Sequence, residues 1–168
     1  YPMAYVVFNL LAAAALIGID QAIKLWATNV LQPVGAMPLI PHVVELRFVL
    51  NPGMAFSLLS GKQLFLIIAT SIALILVAYG LFFRSRGKRL QQAALVLVLG
   101  GGIGNLIDRI RTGAVVDMIS IPWFSTFNVA DLFITFGALI LVLYILTKDK
   151  ELLADKPKEQ KKPHDADA

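Results

Sequence analysis

The sequence predicts an all-α membrane protein, a bundle of four transmembrane helices with a small extracytoplasmic β-sheet. Its composition is the first observation behind this prediction. Apolar residues make up 58% of the chain and charged residues 15%, whereas soluble domains hold about 45–50% and about 25%. The mean hydropathy is +0.75. The second observation is a set of four long apolar runs, since about 20 helical residues span the roughly 30 Å core of a bilayer.

The four apolar runs predict helices at about 3–26, 64–83, 93–110 and 127–147. The second run has no charged residue and lacks the polar stripe that a soluble bundle would show. We therefore expect one membrane domain over residues 1–147. The remaining segment, 148–168, is rich in lysine and acids and is predicted to be a disordered cytoplasmic tail.

The β-sheet is predicted from the segment at about 36–60, between the first two helices. Residues 44–48 alternate between apolar and charged side chains, which is typical of a strand with one buried face. Asn51, Pro52 and Gly53 follow as a turn signal. We expect a small antiparallel sheet lying on the outer membrane surface.

Basic residues predict the orientation of the helices. Four of them fill the link between helices two and three, and six follow helix four, out of 15 in the chain. Cytoplasmic loops carry such an excess. Both termini are therefore predicted to be cytoplasmic, with the segments at about 27–62 and 111–126 outside. The ten residues are Arg84, Arg86, Lys88, Arg89, Lys148, Lys150, Lys156, Lys158, Lys161 and Lys162.

Several kinds of chemistry are disfavoured by what the chain contains. Cysteine is absent, which excludes disulfides and thiolate chemistry. His42 and His164 are the only histidines, no HExxH motif occurs, and neither histidine lies near a nucleophile motif. The glycines at 100–104 lie inside an apolar helix, where they favour close helix packing over nucleotide binding. We expect no metal, no cofactor and no nucleic-acid partner.

Outside the tail the chain has five acids: Asp20, Glu45, Asp108, Asp117 and Asp131. Ionisable groups in or beside membrane helices are costly and usually mark function. Asp20 and Lys24 are spaced to form an i,i+4 ion pair, which favours a structural role. Asp108 adjoins Arg109 and is interpreted as half of a structural or positioning pair.

Asp117 and Asp131 are different, because no basic residue lies between them in the sequence. A short loop can bring both carboxylates to the same depth on the outer side. Two adjacent carboxylates share one proton, so one can activate water while the other protonates a peptide carbonyl. The alternative is structural, with Asp117 capping a turn and Asp131 capping helix four.

At these residues the chain resembles the lipoprotein signal peptidase family (signal peptidase II). Five stretches carry the resemblance in order: a first-helix DQxxK at Asp20, an NxGxAFS-like stretch at 51–57, GGxxGNxxDR at 101–109, VVD at 115–117 and FNxAD at 127–131. The resemblance implies an aspartyl endopeptidase of the bacterial inner membrane. Such an enzyme removes the signal peptide from prolipoproteins, cleaving on the N-terminal side of a diacylglyceryl-modified cysteine. Its expected partners are these substrates and membrane lipids, and a monomer is expected.

The resemblance also implies roles for individual residues. Asp117 and Asp131 correspond to the catalytic pair. Substrate binding and active-site support fall to Asn51, Gly53, Gly104, Asn105, Arg109, Asn128 and Ala130. Asp20, Lys24 and Asp108 correspond to supporting polar positions.

Three other functions compete with this prediction. A proton-coupled transporter would also keep membrane carboxylates, but near the midplane, whereas Asp117 and Asp131 are predicted toward one face. A presenilin-like or prepilin-like peptidase would carry a GxGD motif, which is absent. A membrane scaffold without enzymatic activity would need no paired carboxylates.

Overall fold

A computed structural model of the chain describes residues 2–53 and 61–154. Helix α1 spans Pro2–Trp26 and continues through a π-helical segment, Ala27–Leu31, and a last turn, Gln32–Val34. Helix α2 spans Gln63–Tyr79 and ends in a second π-helical segment, Gly80–Arg84. Helices α3 and α4 span Arg89–Thr112 and Val129–Ala154. All four are long and apolar enough to cross a membrane.

Some predicted helix ends are wrong and one is confirmed. The α-helical part of α1 ends at Trp26, as predicted, and helical structure continues beyond it because Ala27 and Leu31 are fully buried and pack against Met118. Pro33 falls in the first turn of the short helical segment after Leu31, where proline is tolerated. Helix α3 begins at Arg89 instead of 93.

At the other end of the chain, helix α4 begins after Phe127, which belongs to a strand. The predicted tail is also too long, since α4 extends through 148–154. Residues 155–168 lie outside the described residues. The predicted disorder of that segment stays a prediction.

Helix α3 is the central element of the bundle, because its three consecutive glycines each approach a different helix. A Cβ atom at Gly100 would lie 2.8 Å from Leu16 of α1. At Gly101 it would lie 2.4 Å from the Ala130 carbonyl oxygen of α4, and at Gly102 2.4 Å from Leu74 of α2. The prediction that this glycine run serves helix packing is confirmed. Helix α3 thereby holds the other three helices at close range.

The small antiparallel sheet is confirmed, and its extent is larger than predicted. Strands β1 (Ala36–Ile40) and β2 (Val44–Asn51) come from the predicted segment, while residues 54–60 of that segment lie outside the described residues. Strands β3 (Val115–Ile121) and β4 (Ser125–Phe127) come from the segment that was expected to be a plain loop. The strand order is β1-β2-β3-β4.

The sheet and the basic link lie at opposite ends of the bundle. Tyr5, near the start of α1, donates a hydrogen bond to the Leu81 carbonyl beside the α2–α3 link. The sheet lies at the other end of α1, where Met118 of β3 packs on Ala27 and Leu31. We call these the basic end and the sheet end. Because side chains alternate along a strand, Asp117 faces away from Met118.

Candidate active site

Asp131 is held at the start of α4 by a reciprocal capping arrangement. The backbone N–H of Asp131 donates to Asn128 Oδ1 over 2.9 Å, and the backbone N–H of Asn128 donates to Asp131 Oδ2 over 3.2 Å. This is a capping box, which satisfies two backbone donors at a helix start. The capping alternative was therefore partly right, but Asn128 is the cap. Asp131 lies in the first turn, where the helix dipole favours negative charge.

Asp117 lies in the middle of β3, opposite Val49 of β2, and is 1% exposed. Asn128 Nδ2 donates to its Oδ1 over 2.8 Å, and Asn51 Nδ2 donates to its Oδ2 over 3.0 Å. The alternative in which Asp117 caps a turn is wrong, since the residue pairs within a strand. Both carboxylate oxygens of Asp117 accept an amide hydrogen.

Asn128 and Asn105 connect the two aspartates. Asn128 Nδ2 also donates to Asn105 Oδ1 over 3.0 Å, and Asn105 Nδ2 donates to Asp131 Oδ1 over 2.8 Å. Asn105 and Asn128 are 5% and 0% exposed. Two buried amides thus link a carboxylate on the sheet to a carboxylate on a helix, and a fully satisfied network of this kind specifies one geometry.

A buried charged cluster lies behind these amides. Lys24 Nζ is 2.9 Å from Asp20 Oδ2 and 2.9 Å from Asp108 Oδ2. The predicted Asp20–Lys24 pair is therefore present. The predicted pairing of Asp108 with Arg109 is wrong: within residues 2–53 and 61–154, the ion pair of Asp108 is with Lys24, which reaches it from α1.

The charged cluster also orients the backbone of two other elements. Asp20 Oδ1 accepts the Ala130 N–H of α4 over 3.2 Å, and Asp108 Oδ2 accepts the Val116 N–H of β3 over 3.2 Å. Ala130 and Val116 immediately precede Asp131 and Asp117, so these hydrogen bonds hold the backbone next to both aspartates. Gly104 makes the arrangement possible, because a Cβ there would lie 2.4 Å from Asp20 Oδ2.

Both aspartates line one cavity of about 600 Å³ at the sheet end of the bundle. Helices α2, α3 and α4 supply one part of its wall, and strands β2, β3 and β4 supply the other. Its lining combines the two carboxylates with hydroxyl, amide and apolar side chains, including Asn51, Thr70, Asn105, Arg109, Phe124, Phe127 and Thr135.

Arg109 lies at the wall of this cavity. Its guanidinium donates to the carbonyl oxygen of Gly53 over 3.1 Å and to that of Asn105 over 3.5 Å. Among the described residues its Nε is buried without a hydrogen-bond partner. A buried donor that the protein leaves unmatched is available to a ligand carbonyl.

The pKa of Asp117 is raised to about 6: burial is the main cause and the nearby negative charge of Asp131 contributes, while the hydrogen bonds from Asn51 and Asn128 act to lower the pKa. A carboxyl group in this range changes protonation near neutral pH. Such a pKa suits a group that exchanges a proton during a reaction.

Comparison with known proteins places this arrangement in a family. Residues 12–147 match the family described as signal peptidase (SPase) II. The chain belongs to the signal peptidase II family. A lipoprotein signal peptidase of Caldanaerobacter subterraneus subsp. tengcongensis is 41% identical over 136 residues, covering 80% of this chain and 93% of the relative. One from Clostridioides difficile is 39% identical over 135 residues, covering 78% and 89%.

Solved structures agree with this assignment. A bacterial membrane enzyme structure at 2.3 Å resolution has a TM-score of 0.80 and 32% identity, covering 92% of this chain and 94% of its own. A second bacterial membrane enzyme, at 1.9 Å, has a TM-score of 0.75 and 31% identity, covering 83% and 92%. The chain is thus a multi-pass membrane peptidase of the signal peptidase II family.

The residues that the signal peptidase II resemblance identified fall into two groups by their position relative to the cavity. Asn51, Asn105, Arg109, Asp117 and Asp131 line the cavity. The other predicted positions support them from behind: Gly53 (whose N–H donates to Asn51 Oδ1), Gly104, Asn128, Ala130, Asp20, Lys24 and Asp108. Residues 54–57 of the NxGxAFS-like stretch lie outside the described residues.

Some cavity residues of this signal peptidase were missed by the sequence reasoning. Thr70 and Thr135 line the cavity from α2 and α4. Thr135 is an isolated hydroxyl in an apolar run and Thr70 adjoins Ser71 in another, and hydroxyls in such runs are a signal that could have found them. Gln21 was noted only as part of a motif, yet its amide donates to Asp20, Asp108 and the Gly104 carbonyl.

Proposed function

We propose that this signal peptidase removes the signal peptide from prolipoproteins through an aspartyl mechanism, with Asp117 and Asp131 as the catalytic pair. The observation that carries the proposal is that both carboxylates line the same cavity while joined through buried amides. The buried amides fix the position of a carboxylate on a strand relative to a carboxylate at a helix start, as catalysis by the pair requires.

The proposed chemistry needs one proton shared between two carboxylates. The ionised member removes a proton from a water molecule, which attacks the scissile carbonyl carbon. The protonated member donates to the carbonyl oxygen, and a tetrahedral intermediate forms. The raised pKa of Asp117 and the helix-start position of Asp131 both favour Asp117 as the proton carrier.

Asp131 would then be the base in the first step. The unmatched Nε of Arg109 offers a further donor to the substrate backbone from the cavity wall. These roles need no metal and no cofactor.

The substrate class follows from the relatives and from the position of the cavity. Relatives covering about four fifths of this chain carry the name lipoprotein signal peptidase. The cavity reaches from the sheet into the membrane-spanning helices, as Phe127 and Thr135 show. A diacylglyceryl-modified cysteine would keep its acyl chains in the bilayer while its peptide bond lies at the aspartate pair. Cleavage on the N-terminal side of that cysteine is the proposed reaction.

Orientation is proposed from the basic residues. Arg84, Arg86, Lys88 and Arg89 lie at the basic end, opposite the sheet. The positive-inside rule makes this end cytoplasmic and puts the aspartate pair at the outer face of the bacterial inner membrane. Both termini would be cytoplasmic.

Cleavage of a diacylglyceryl-modified prolipoprotein by the detergent-purified enzyme tests the mechanism. Asp117→Asn and Asp131→Asn should each lower kcat by at least about a thousandfold, because two members of one catalytic unit fail together. Glu45→Gln is the matched control. This acid lies in the same sheet, pairs with Arg47 over 2.8 Å, and does not line the aspartate cavity. Activity above about a tenth of wild type in either aspartate variant would reject the pair.

Cysteine labelling of intact cells tests the orientation independently. The chain contains no cysteine, so each introduced thiol gives an unambiguous signal. His42→Cys in the exposed β1–β2 turn should react with a membrane-impermeant reagent, whereas Arg86→Cys, exposed at the basic end, should react only after permeabilisation. The reverse pattern would overturn the orientation.

A further inference from the structure

Lys24 is a buried ammonium to which the proposed aspartyl chemistry gives no task. It is 3% exposed, and its Nζ contacts three groups at 2.9 Å. Two of these are the carboxylates of Asp20 and Asp108, which balance its charge. The third is Oδ1 of Asn105. That contact links the cation to the aspartate pair, because the same amide donates to Asp131.

Two donors fix which way the Asn105 amide points, because Lys24 Nζ and Asn128 Nδ2 both donate to its Oδ1. An ammonium group has three hydrogens and no lone pair, so it accepts only an oxygen as its partner. Asn105 must therefore turn Oδ1 toward Lys24 and Nδ2 toward Asp131. With the opposite orientation, an amide oxygen would face a carboxylate and an amide N–H would face an ammonium.

The other two amides are oriented by the same logic. Asn128 Oδ1 accepts the backbone N–H of Asp131, which can only donate, so its Nδ2 faces Asp117 and Asn105. Asn51 Oδ1 accepts the backbone N–H of Gly53, so its Nδ2 faces Asp117. Three amides thus present N–H groups to the two carboxylates. The orientation of Asn105 is set by side-chain donors, namely Lys24 and Asn128, whereas backbone N–H groups set the other two.

We propose that Lys24 is a positioning residue for the peptidase reaction: it holds the Asn105 oxygen and so keeps N–H donors directed at the aspartate pair. The inference rests on the proposed function, since it assigns a role toward the aspartyl mechanism. Donors aimed at a carboxylate favour its charged form. The pair must retain one negative charge to activate water, although its burial disfavours that charge.

Other charged groups around the pair do not share this role. Asp20 of α1 and Asp108 of α3 contact Lys24 and backbone N–H groups. Arg109 of α3 donates to backbone carbonyls and interacts electrostatically with both aspartates. Residues 63–83 of α2 contain no charged side chain. Within the described chain, Lys24 is the cation that bonds to an amide of the network.

The experiment compares the pH dependence of kcat/KM in five variants, each checked for folding by thermal stability in detergent. Lys24→Met removes the ammonium. Asn105→Ala removes the connecting amide, with its donor to Asp131, but leaves both ion pairs of Lys24 intact, so an unshifted acid limb in this variant would overturn the proposal even if Lys24→Met does not fold. The double variant closes a mutant cycle. Gln21→Leu is the control, because Gln21 bonds to the same two acids but to no amide side chain.

Lys24→Met and Asn105→Ala should each move the acid limb of the profile upward by about one pH unit, the scale of a lost hydrogen bond to a charged group. The double variant should shift it no further than the larger single change. Lys24→Arg, which keeps a donor, should restore most of the wild-type position. Gln21→Leu should lose stability without a shift of the limb.

An unshifted acid limb in Asn105→Ala would overturn the inference. Shifts that add in the double variant would do so too, because Lys24 would then act by its charge alone and not through Asn105. The proposed function fails separately, if Asp117→Asn or Asp131→Asn retains activity.

Discussion

The interior of the bundle toward the basic end contains the larger apolar cluster, whereas the interior at the sheet end contains a network of buried charges and amides beside a smaller apolar cluster. The apolar cluster contains Ala13, Leu74, Leu81, Leu95, Val96 and Leu99. At the sheet end, Asp20, Lys24, Asn105, Asp108, Asp117 and Asn128 are all at most 7% exposed. In both interiors, glycines allow helices to cross at close range. The two ends differ in which groups approach these glycines.

Toward the basic end, a glycine allows backbone and apolar groups to approach. A Cβ at Gly137 would lie 2.6 Å from the Ala94 carbonyl oxygen and 2.7 Å from a Val98 methyl group. At the sheet end, Gly104 makes room for the carboxylate of Asp20. In a bilayer, where lipid is as apolar as leucine, close contact is a main source of helix association. The comparison therefore predicts that similar substitutions have different consequences at the two ends.

The largest effect is expected for Gly104→Ala. The added methyl group would displace Asp20 Oδ2, and with it the Lys24 ion pair and the hydrogen bond to the Ala130 N–H at the start of α4. Activity should fall by about a hundredfold or more, since displacing catalytic groups by about 1 Å costs that much. The thermal midpoint should fall as well, because a buried ion pair is disturbed. Cleavage rates and thermal unfolding in detergent measure both effects. Near-normal activity in a destabilised variant would show that Asp20 does not position the site.

A smaller effect, on stability alone, is expected for Gly137→Ala. Its methyl group would press on the α3 backbone, far from the aspartate cavity, at a cost of about 1–3 kcal/mol for an overpacked contact. The folded fraction should keep the wild-type kcat and pH profile. Gly18→Ala is the control, because nothing lies within 4 Å of a Cβ there. A change in the pH profile of Gly137→Ala would mean that the two ends are coupled, and the comparison would fail.

The sheet end was also harder to predict from sequence than the helices. The apolar runs predicted all four helices, because bilayer thickness requires long uninterrupted stretches. Asp117 and Asp131 were found because no basic residue separates them and because short motifs surround them. Strands β3 and β4 were missed, since β3 pairs with β2 across more than 60 residues of chain and carries an aspartate in its middle. Local periodicity does not report such a partner.

The partner of Asp108 and the helical segment after Trp26 show the same dependence on long-range contacts. Asp108 was assigned to its sequence neighbour Arg109, but Lys24 reaches it from another helix. The sequence also does not predict that helical structure continues past Trp26, through Ala27–Leu31. The helix continues because Ala27 and Leu31, one turn apart, pack under Met118. Tertiary packing overrode the local polarity in that segment.

The last prediction concerns the pH dependence of stability that the buried carboxylate at the sheet end causes. Burial raises the pKa of Asp117 from 3.8 to about 6, so the folded protein holds this proton more tightly than the unfolded chain. The resulting stability is fully present below about pH 4 and is lost as pH rises through about 6. The loss is at most about 3 kcal/mol.

In detergent, the thermal midpoint of the wild type should therefore decline between pH 4 and 6, and that of Asp117→Asn should decline less. Glu45→Gln should follow the wild-type curve, since its acid is in a partly exposed pair with Arg47. If the thermal midpoint of Asp117→Asn declines as steeply with pH as that of the wild type, another group takes up the proton. The pH dependence of stability would then not come from Asp117.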